Sequence, residues 1–182
     1  SDAEDLLREH RELVERSKRE VERVLDELRR LIEKSLREVE KVLKELEKLI
    51  REILDRVRKN SEKEEEIERL ERELEKIVEE IERRIETSNR ELKRIVKEII
   101  DEIRRTNKEL HDKVRDVERK LRGDRVREEL RRSDEKVSRD HEELVKEAER
   151  LVDEATKEHR KLKRRIRELV RRAKEEIEKL RK

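Results

Sequence analysis

Apolar residues recur along the whole chain at the spacing of an amphipathic helix. Isoleucine, leucine and valine stand three, four and seven positions apart from one end of the sequence to the other. This spacing places them on one side of an α-helix and the charged residues on the other. At 100° per residue they fall within a stripe roughly 120° wide, enough to cover two neighbouring helices. The pattern therefore predicts helices that pack in a bundle of three.

Two short segments interrupt the helical pattern and predict where the helices end. Asn60 closes the first apolar stripe, and Ser61 followed by Glu64 fits a capping box at the start of the next helix. Gly123, the only glycine, fits the position just after a helix, and Asp124 fits the N-cap that follows. These two points divide the chain into three nearly equal segments.

The predicted fold is all-α, a single domain over residues 1–182 in which the chain runs up, down and up again. The connections are too short for anything but antiparallel neighbours, so the three segments form an antiparallel three-helix bundle. The predicted helices cover residues of about 2–59, 62–122 and 125–182.

An internal repeat in the sequence indicates how these helices twist. LVERSKREVERVLDELRR (13–30) is followed by LIEKSLREVEKVLKELEK (31–48), and VEEIERRIETSNRELKRI (78–95) by VKEIIDEIRRTNKELHDK (96–113). A period of 3.5 residues would impose a left-handed supercoil and one of 3.67 a right-handed supercoil. The repeat here is 18 residues long, which is five whole turns at about 3.6 residues per turn. It therefore predicts an elongated, nearly untwisted bundle.

The amino-acid composition argues against several classes of protein and of functional site. Charged residues make up 60% of the chain, and it contains no aromatic residue, cysteine, methionine or proline. Such a composition is also found in disordered chains, but the helical period argues against disorder here. Without cysteine there is no disulfide, thiolate nucleophile or cysteine-bound metal. The longest apolar runs are pairs, so we expect a soluble protein with no membrane partner, while its location in the cell stays unknown.

Charge is balanced overall but not along the chain. With 56 basic and 54 acidic residues the net charge is +2, which favours neither nucleic acid nor an anionic membrane. Residues 157–174 are strongly basic, but the antiparallel arrangement places them beside the acidic residues 62–86. Residues 104–122, which are basic, likewise face the acidic residues 124–143. Complementary flanks that select neighbour and direction explain this better than a nucleic-acid ligand.

Polar residues interrupt the apolar stripes at matching heights. Ser88-Asn89 and Thr106-Asn107 occupy the same place in two successive repeats of the second helix. Antiparallel pairing brings one serine from the first helix and one histidine from the third to each of them. Serine, asparagine and neutral histidine can satisfy one another's donors and acceptors, so two copies of one buried hydrogen-bond layer are predicted. The two layers are Ser17, Thr106, Asn107 and His141, and Ser35, Ser88, Asn89 and His159.

His10 and His111 form a third predicted pair, near the ends of the helices. It has two interpretations, a structural polar contact or a start of a metal site. Zinc normally takes four ligands, and only two carboxylates stand nearby, so we predict no metal and no cofactor. The polar residues around the pair are Ser133, Ser138, Asp112 and Asp134.

Catalysis is not expected. Serine and histidine occur together in both layers, but neither layer contains a carboxylate to orient the imidazole or an oxyanion hole. No glycine-rich phosphate loop is present either. The sequence therefore predicts no enzyme and no catalytic residue.

The repeats, the restricted alphabet, the equal helix lengths and the copied His/Ser/Asn layers together resemble a de novo designed helical bundle with buried hydrogen-bond networks. In that family the layers fix register and pairing, and in some members buried histidines make assembly sensitive to pH. The resemblance implies a structural scaffold without natural activity, monomeric and in need of no partner. The alternative is a binding or switch component that self-associates, accepts a designed partner helix or opens when its histidines are protonated.

Overall fold

Three α-helices form an antiparallel bundle, as predicted. The computed structural model describes residues 2–181, with no β-strand in that range. Lys182, the last residue of the predicted third helix, lies outside the described residues. No helix of the described chain has a segment long and apolar enough to cross a membrane. The helices are α1, Asp2–Lys59, α2, Glu64–Lys120, and α3, Asp124–Leu180.

The contacts within the chain define two compact units, and each takes a part of all three helices. Unit 1 consists of the chain up to Arg30 together with Lys93–Asp153. Unit 2 consists of Leu31–Leu92 and the chain from Glu154 onward. The description of residues 1–182 as one domain stays a prediction.

All three helices contribute to the core of unit 2. Val57 of α1, Ile67 and Leu70 of α2, and Ile166 and Ile177 of α3 have no exposed surface. Burial of a leucine- or isoleucine-sized side chain stabilises a fold by about 1.5 to 3 kcal/mol. The apolar stripe seen in the sequence is therefore the main source of stability in this unit.

In unit 1, an apolar cluster forms beside the connection between α2 and α3. Val114, Leu121 and Leu130 are buried, and Leu6 and Leu7 of α1 pack against them. Aliphatic residues alone fill this cluster, as they do the core of unit 2.

Ion pairs connect α3 to its neighbours in unit 2, in the direction that the charge pattern predicts. Their basic partner belongs to α3 and the acidic partner to α1 or α2. Exposed pairs of this kind contribute only about 0 to 1 kcal/mol each, so they help to select the neighbour more than they stabilise the fold. They join Lys163 to Glu86 (2.8 Å), Lys174 to Glu75 (2.9 Å), Arg167 to Glu82 (3.4 Å), Arg181 to Glu71 (3.1 Å) and Arg165 to Glu47 (3.4 Å).

The predicted capping box at Ser61 is wrong. A turn begins at Asn60, whose carbonyl oxygen accepts a hydrogen bond from the Lys63 amide at 2.8 Å. The Lys63 carbonyl in turn accepts the bond from the Ile67 amide, so Lys63 holds the N-cap position of α2. Ser61 lies inside the turn, because the chain needs these residues to reverse direction before the next helix can begin.

Gly123 also plays a different role from the predicted one. No residue in the described part of the chain, Gly123 included, has a positive φ, so it is not a left-handed residue that ends α2. Its carbonyl accepts the Arg127 amide at 3.1 Å, which makes Gly123 the N-cap of α3 and Asp124 the first helical residue. The Arg127 guanidinium Nε donates to the carbonyls of Glu118 and Leu121, so α2 ends without a left-handed glycine.

We expect Gly123→Ser to raise the free energy of unfolding by about 0.5 to 1 kcal/mol. Serine is a good N-cap residue, and it restricts the unfolded chain more than glycine does. A Cβ at this position meets only Val126 Cγ2, at an ordinary 3.9 Å. Urea denaturation checks this value, with Gly123→Ala as the control without a hydroxyl. A loss of about 1 kcal/mol or more in both variants would indicate a left-handed glycine after all.

Candidate functional site

The first polar layer lies in unit 1, and we call Ser17, Thr106, Asn107, Ser138 and His141 the Asn107 layer. Asn107 Oδ1 accepts a hydrogen bond from His141 Nδ1 at 3.0 Å and another from Ser138 Oγ at 3.3 Å. His141 is buried. Because an amide oxygen only accepts, the proton of the neutral imidazole sits on Nδ1. The layer thus joins α2 to α3 through a single amide oxygen.

The second layer lies in unit 2 and consists of Ser35, Ser88, Asn89, Thr156 and His159, the Asn89 layer. Asn89 Oδ1 accepts hydrogen bonds from Thr156 Oγ1 at 3.0 Å and from His159 Nδ1 at 3.3 Å. Ser35 and Ser88 bond to each other through their hydroxyl oxygens at 2.6 Å. This layer therefore has links from α1 to α2 and from α2 to α3.

Two hydroxyl groups of α3 belong to the layers although the sequence does not predict them there. The sequence predicts Ser138 near His10 and His111 and predicts no contact for Thr156, yet both hydroxyl groups donate to a layer asparagine. Each stands three residues before the layer histidine, which puts both side chains on the same face of the helix. The signal was present as SRDH (138–141) and TKEH (156–159), two hydroxyl-x-x-His segments one repeat apart.

The two layers differ at the serine of α1. Ser17 is 9% exposed, and its Oγ has no hydrogen-bond partner among the described residues. Its counterpart Ser35 bonds to Ser88. The structure places Ser17 and Thr106 along one cavity but does not join Ser17 to Asn107 or His141 by a hydrogen bond.

His10 and His111 each form their hydrogen bond with α3. His10 Nε2 lies 3.3 Å from Ser133 Oγ, and His111 Nδ1 lies 2.5 Å from the carboxylate of Asp134. His10 is buried, whereas the His111 side chain is 41% exposed. Among the residues that the structure describes, no group of three or more histidine, aspartate or glutamate side chains could hold a metal ion.

Burial sets the protonation of the three buried histidines. Desolvation lowers the pKa of His10, His141 and His159, because a charged imidazolium is unfavourable away from water. The carboxylates of Asp134 and Asp140 partly oppose this effect on the pKa of His10 and of His141, respectively. All three imidazoles are therefore neutral at pH 7.

This arrangement suits structure rather than proton transfer. In both layers the imidazole N–H and the neighbouring hydroxyl donate to the same asparagine oxygen. No hydroxyl in these contacts donates to an imidazole nitrogen, which is the bond that a nucleophilic serine needs. The layers use their donors to join helices.

Comparisons with known proteins give little further information. No protein-family model matches the chain, and no curated protein matches it. One solved structure, titled "Computationally designed three helix bundle", is similar over 98% of this chain and 85% of that chain, with 20% sequence identity and a TM-score of 0.42. It is of the class that the repeats and layers resemble. At this TM-score the similarity supports no inference, and the assignment as a three-helix bundle rests on the helices and their contacts.

Proposed function

We propose that this chain is a designed structural scaffold with no natural biochemical activity, in which two copied polar layers hold three helices in register. One observation carries the proposal. Asn107 and Asn89, which hold the same place in successive repeats, each accept hydrogen bonds from a histidine Nδ1 and from a hydroxyl three residues before that histidine. A repeated set of donors on one helix facing a repeated acceptor on another defines how the two helices align.

A register error would be costly because these groups are buried. If α3 moved by one turn along α2, His141 and His159 would face aliphatic side chains instead of an amide oxygen. A buried polar group without a partner costs about 1 to 3 kcal/mol. Apolar contacts alone discriminate less, since one isoleucine or leucine can replace another in the neighbouring turn. The layers therefore supply the specificity that a repetitive aliphatic core lacks.

Replacement of the whole Asn89 layer by apolar residues tests this function. The variant combines Ser35→Ala, Ser88→Ala, Asn89→Leu, Thr156→Val and His159→Leu. We expect its free energy of unfolding to rise by about 1 to 3 kcal/mol, because apolar groups that replace a buried polar network are often stabilising, and this network leaves the buried His159 Nε2 without a partner among the described residues. We also expect α2 and α3 of unit 2 to occupy more than one register.

Disulfide trapping measures the register directly. Glu86 and Lys163 form an ion pair, so cysteines at these two positions report the native register. Cysteines at Glu82 and Lys163 report a register shifted by one turn, because Glu82 pairs with Arg167 in the structure. The parent should form only the native disulfide, and the apolar variant should form both. Equal preference for the native pair in parent and variant would contradict a register function.

We further propose that the scaffold needs no partner, nucleic acid or membrane and is a monomer. Support comes from the aliphatic core, in which the apolar stripes of all three helices are covered by one another. Leu31 is the only large apolar residue that is well exposed in the described chain, at 39%. Sedimentation equilibrium at micromolar concentration should give a mass near 22.6 kDa, and a dimer or trimer would contradict this expectation.

A switch component is the second candidate, and the buried histidines favour it. Burial lowers the pKa of His141 and of His159. Protonation of either imidazole would place a positive charge inside the bundle. Opening of the bundle in acid would follow if those charges outweighed the core contacts. The candidate requires that acid sensitivity depend on the histidines themselves.

A further inference from the structure

The two units differ in how many aliphatic residues of α1 they bury. Helix α1 contributes residues 2–30 to unit 1 and residues 31–59, a segment of equal length, to unit 2. Among the described side chains, three aliphatic residues of the first segment are buried and seven of the second. Because a helix in a bundle is held mainly by its buried apolar face, α1 is held less firmly in unit 1. The buried residues are Val21, Leu25 and Leu28 in the first segment and Ile32, Val39, Leu43, Leu46, Ile50, Ile53 and Val57 in the second.

The internal repeat shows one source of this difference. Lys18 stands where Leu36 stands in the next repeat. Leu36 packs against the core of unit 2, whereas Lys18 is exposed. Lys18 lies beside Val137 and Leu144 of α3, two apolar side chains that a leucine at this position would contact. The first segment of α1 therefore lacks an apolar contact that the second segment has.

Grooves lie on both sides of α1 in unit 1. One groove, of about 290 Å³, lies between α1 and α2, and Val21 and Val24 of α1 line it. The other, of about 400 Å³, lies between α1 and α3, and Val14 and Lys18 of α1 line it. Side chains along a groove lack the dispersion contacts that a closed interface would give them. Residues 14–24 of α1 are therefore loosely packed against both neighbouring helices.

The hydrogen bonds of the Asn107 layer join α2 to α3 and do not include α1. Ser17 of α1 is buried in this layer, but its Oγ has no partner among the described residues. In the Asn89 layer the equivalent serine, Ser35, bonds to Ser88 of α2 at 2.6 Å. The polar layer of unit 1 therefore holds α2 and α3 together without holding α1.

Two polar contacts connect the first segment of α1 to α3. His10 Nε2 lies 3.3 Å from Ser133 Oγ, and Arg29 forms an ion pair with Glu147 at 3.2 Å. The ion pair is partly exposed to water, so it adds little to the attachment of the segment. These contacts position the two ends of the segment, but its attachment depends on few apolar contacts.

We propose that residues 2–30 of α1 open and reclose as one segment, while α2 and α3 of unit 1 stay joined and unit 2 stays folded. Folded proteins open locally where buried apolar contacts are fewest, and a helix that separates loses the packing that keeps it helical. The segment thus acts as a lid over the apolar faces of α2 and α3 in unit 1. The proposal rests on the proposed function at one point, which is that the Asn107 layer joins α2 to α3.

Single cysteines measure the opening, because the chain has no cysteine of its own. Leu25 and Leu43 occupy equivalent positions in successive repeats, and both are 2% exposed. In Leu25→Cys and Leu43→Cys a thiol reagent reaches the sulfur only when the segment around it opens. We expect Leu25→Cys to be labelled about a hundredfold faster than Leu43→Cys. Labelling of Leu25→Cys at the same rate or more slowly would overturn the proposal.

Substitutions of Lys18 test whether the opening depends on the packing of α1. Lys18→Leu copies the residue of the next repeat and should slow the labelling of Leu25→Cys about tenfold, without changing that of Leu43→Cys. Leucine and lysine have similar helix propensities, so this change acts through packing. Lys18→Gln removes the charge without adding a large apolar group and should leave both rates within about twofold. If Lys18→Leu did not slow the labelling of Leu25→Cys, the proposal would be wrong.

Hydrogen exchange shows whether α2 and α3 stay in place. We expect the amides of Val21 and Leu25 to exchange about tenfold faster or more than those of Asn107 and His141. Equal exchange in all three helices would mean that unit 1 opens as a whole, which would contradict the proposal. The disulfide pattern that tests the register function is measured in unit 2 and does not change when α1 of unit 1 opens. The failure of one proposal can therefore be told apart from the failure of the other.

Discussion

Replacement of both Asn89 and Asn107 by alanine is expected to lower the free energy of unfolding by about 4 to 6 kcal/mol. Each asparagine accepts two hydrogen bonds, one from an imidazole and one from a hydroxyl. Alanine cannot accept them, so two donors in or beside the core lose their partner at each site. A loss of this size is a large fraction of the stability of an ordinary domain.

Urea denaturation followed by circular dichroism measures the effect, and the chain offers a control for the same substitution. Asn60 also forms a side-chain hydrogen bond, from Nδ2 to the Arg56 carbonyl at 2.9 Å, but at the exposed end of α1. Asn60→Ala should cost about 1 kcal/mol or less, because water can replace the lost bond. The free energy of unfolding lost by the double variant should exceed twice the loss in Asn60→Ala. A smaller loss would mean that the two layers do not contain buried hydrogen bonds whose donors need the asparagine as acceptor.

The single variants should be additive. Asn107 lies in unit 1 and Asn89 in unit 2, and they share no hydrogen-bond partner. Distant sites without common contacts usually add to within about 0.5 kcal/mol. A coupling well beyond that value would mean that the register of one unit depends on the polar layer of the other.

The fold was predictable because its determinants are periodic. An apolar stripe of helical period, two interruptions and short connections leave few arrangements other than three antiparallel helices. The ends of the helices were less predictable. The residue type at Ser61 predicts the N-cap of α2, but the tight connection places that N-cap at Lys63. The glycine at 123 predicts a left-handed residue that ends α2, but Gly123 is the N-cap of α3 and has no positive φ.

The position of each polar layer along the helices was predictable from the sequence, but the individual hydrogen bonds within it were not. Antiparallel alignment places a residue to within about a turn, which is roughly 5.4 Å of helix. A hydrogen bond requires donor and acceptor to approach to about 3 Å. Alignment therefore brought Asn107 to His141 and Asn89 to His159, but it could not show that Ser35 meets Ser88 while Ser17 meets no partner.

Thr156 shows why a polar residue can be overlooked in such a sequence. In a chain that is 60% charged, a lone threonine resembles one more surface residue. Its position three residues before His159, copied by Ser138 before His141, was the informative signal. A repeat therefore carries information in the residues that it keeps as well as in its period.

As the pH falls, we expect a first decrease in the free energy of unfolding that comes from protonation of the buried histidines. The pKa of His10, His141 and His159 is lowered in the folded chain, mainly by burial. Above a pH of about 6.5 these histidines are neutral in both the folded and the unfolded state, so they cause no pH dependence. Below it the unfolded state binds protons that the folded state does not, and stability falls until the pH reaches the folded pKa. Each unit of difference in pKa corresponds to about 1.4 kcal/mol for each histidine, and the three losses add.

Carboxylates respond in a lower range. Hydrogen bonds from Arg69 and Lys163 lower the pKa of Glu66 and Glu86, so these carboxylates stay ionised at the pH where ordinary ones begin to protonate. Their contribution is present above the unfolded value of about 4.3 and is lost as the pH falls through their folded pKa. Denaturation between pH 7 and pH 5 therefore isolates the histidine step.

The double variant His141→Asn/His159→Asn identifies the source of that step. An asparagine amide nitrogen can take the position of the imidazole Nδ1 and donate to Asn107 or Asn89, but it does not titrate. The variant should be less stable at pH 7, because it leaves part of each imidazole site unfilled, yet it should lose less stability than the parent between pH 7 and pH 5. Parallel curves for parent and variant would exclude both histidines as the acid-sensitive groups.

The single variants should differ in a defined order. Lys163 lowers the pKa of His159 further, whereas the carboxylate of Asp140 raises that of His141 and offsets part of the effect of burial. Lys18, Glu22, Glu143 and Glu147 line the cavity beside His141, and three of these four side chains are acidic. His159→Asn should therefore remove more of the pH dependence between pH 7 and pH 5 than His141→Asn does. The opposite order would mean that hydrogen bonding to Asn89 or Asn107, rather than burial and neighbouring charge, sets the protonation of these layers.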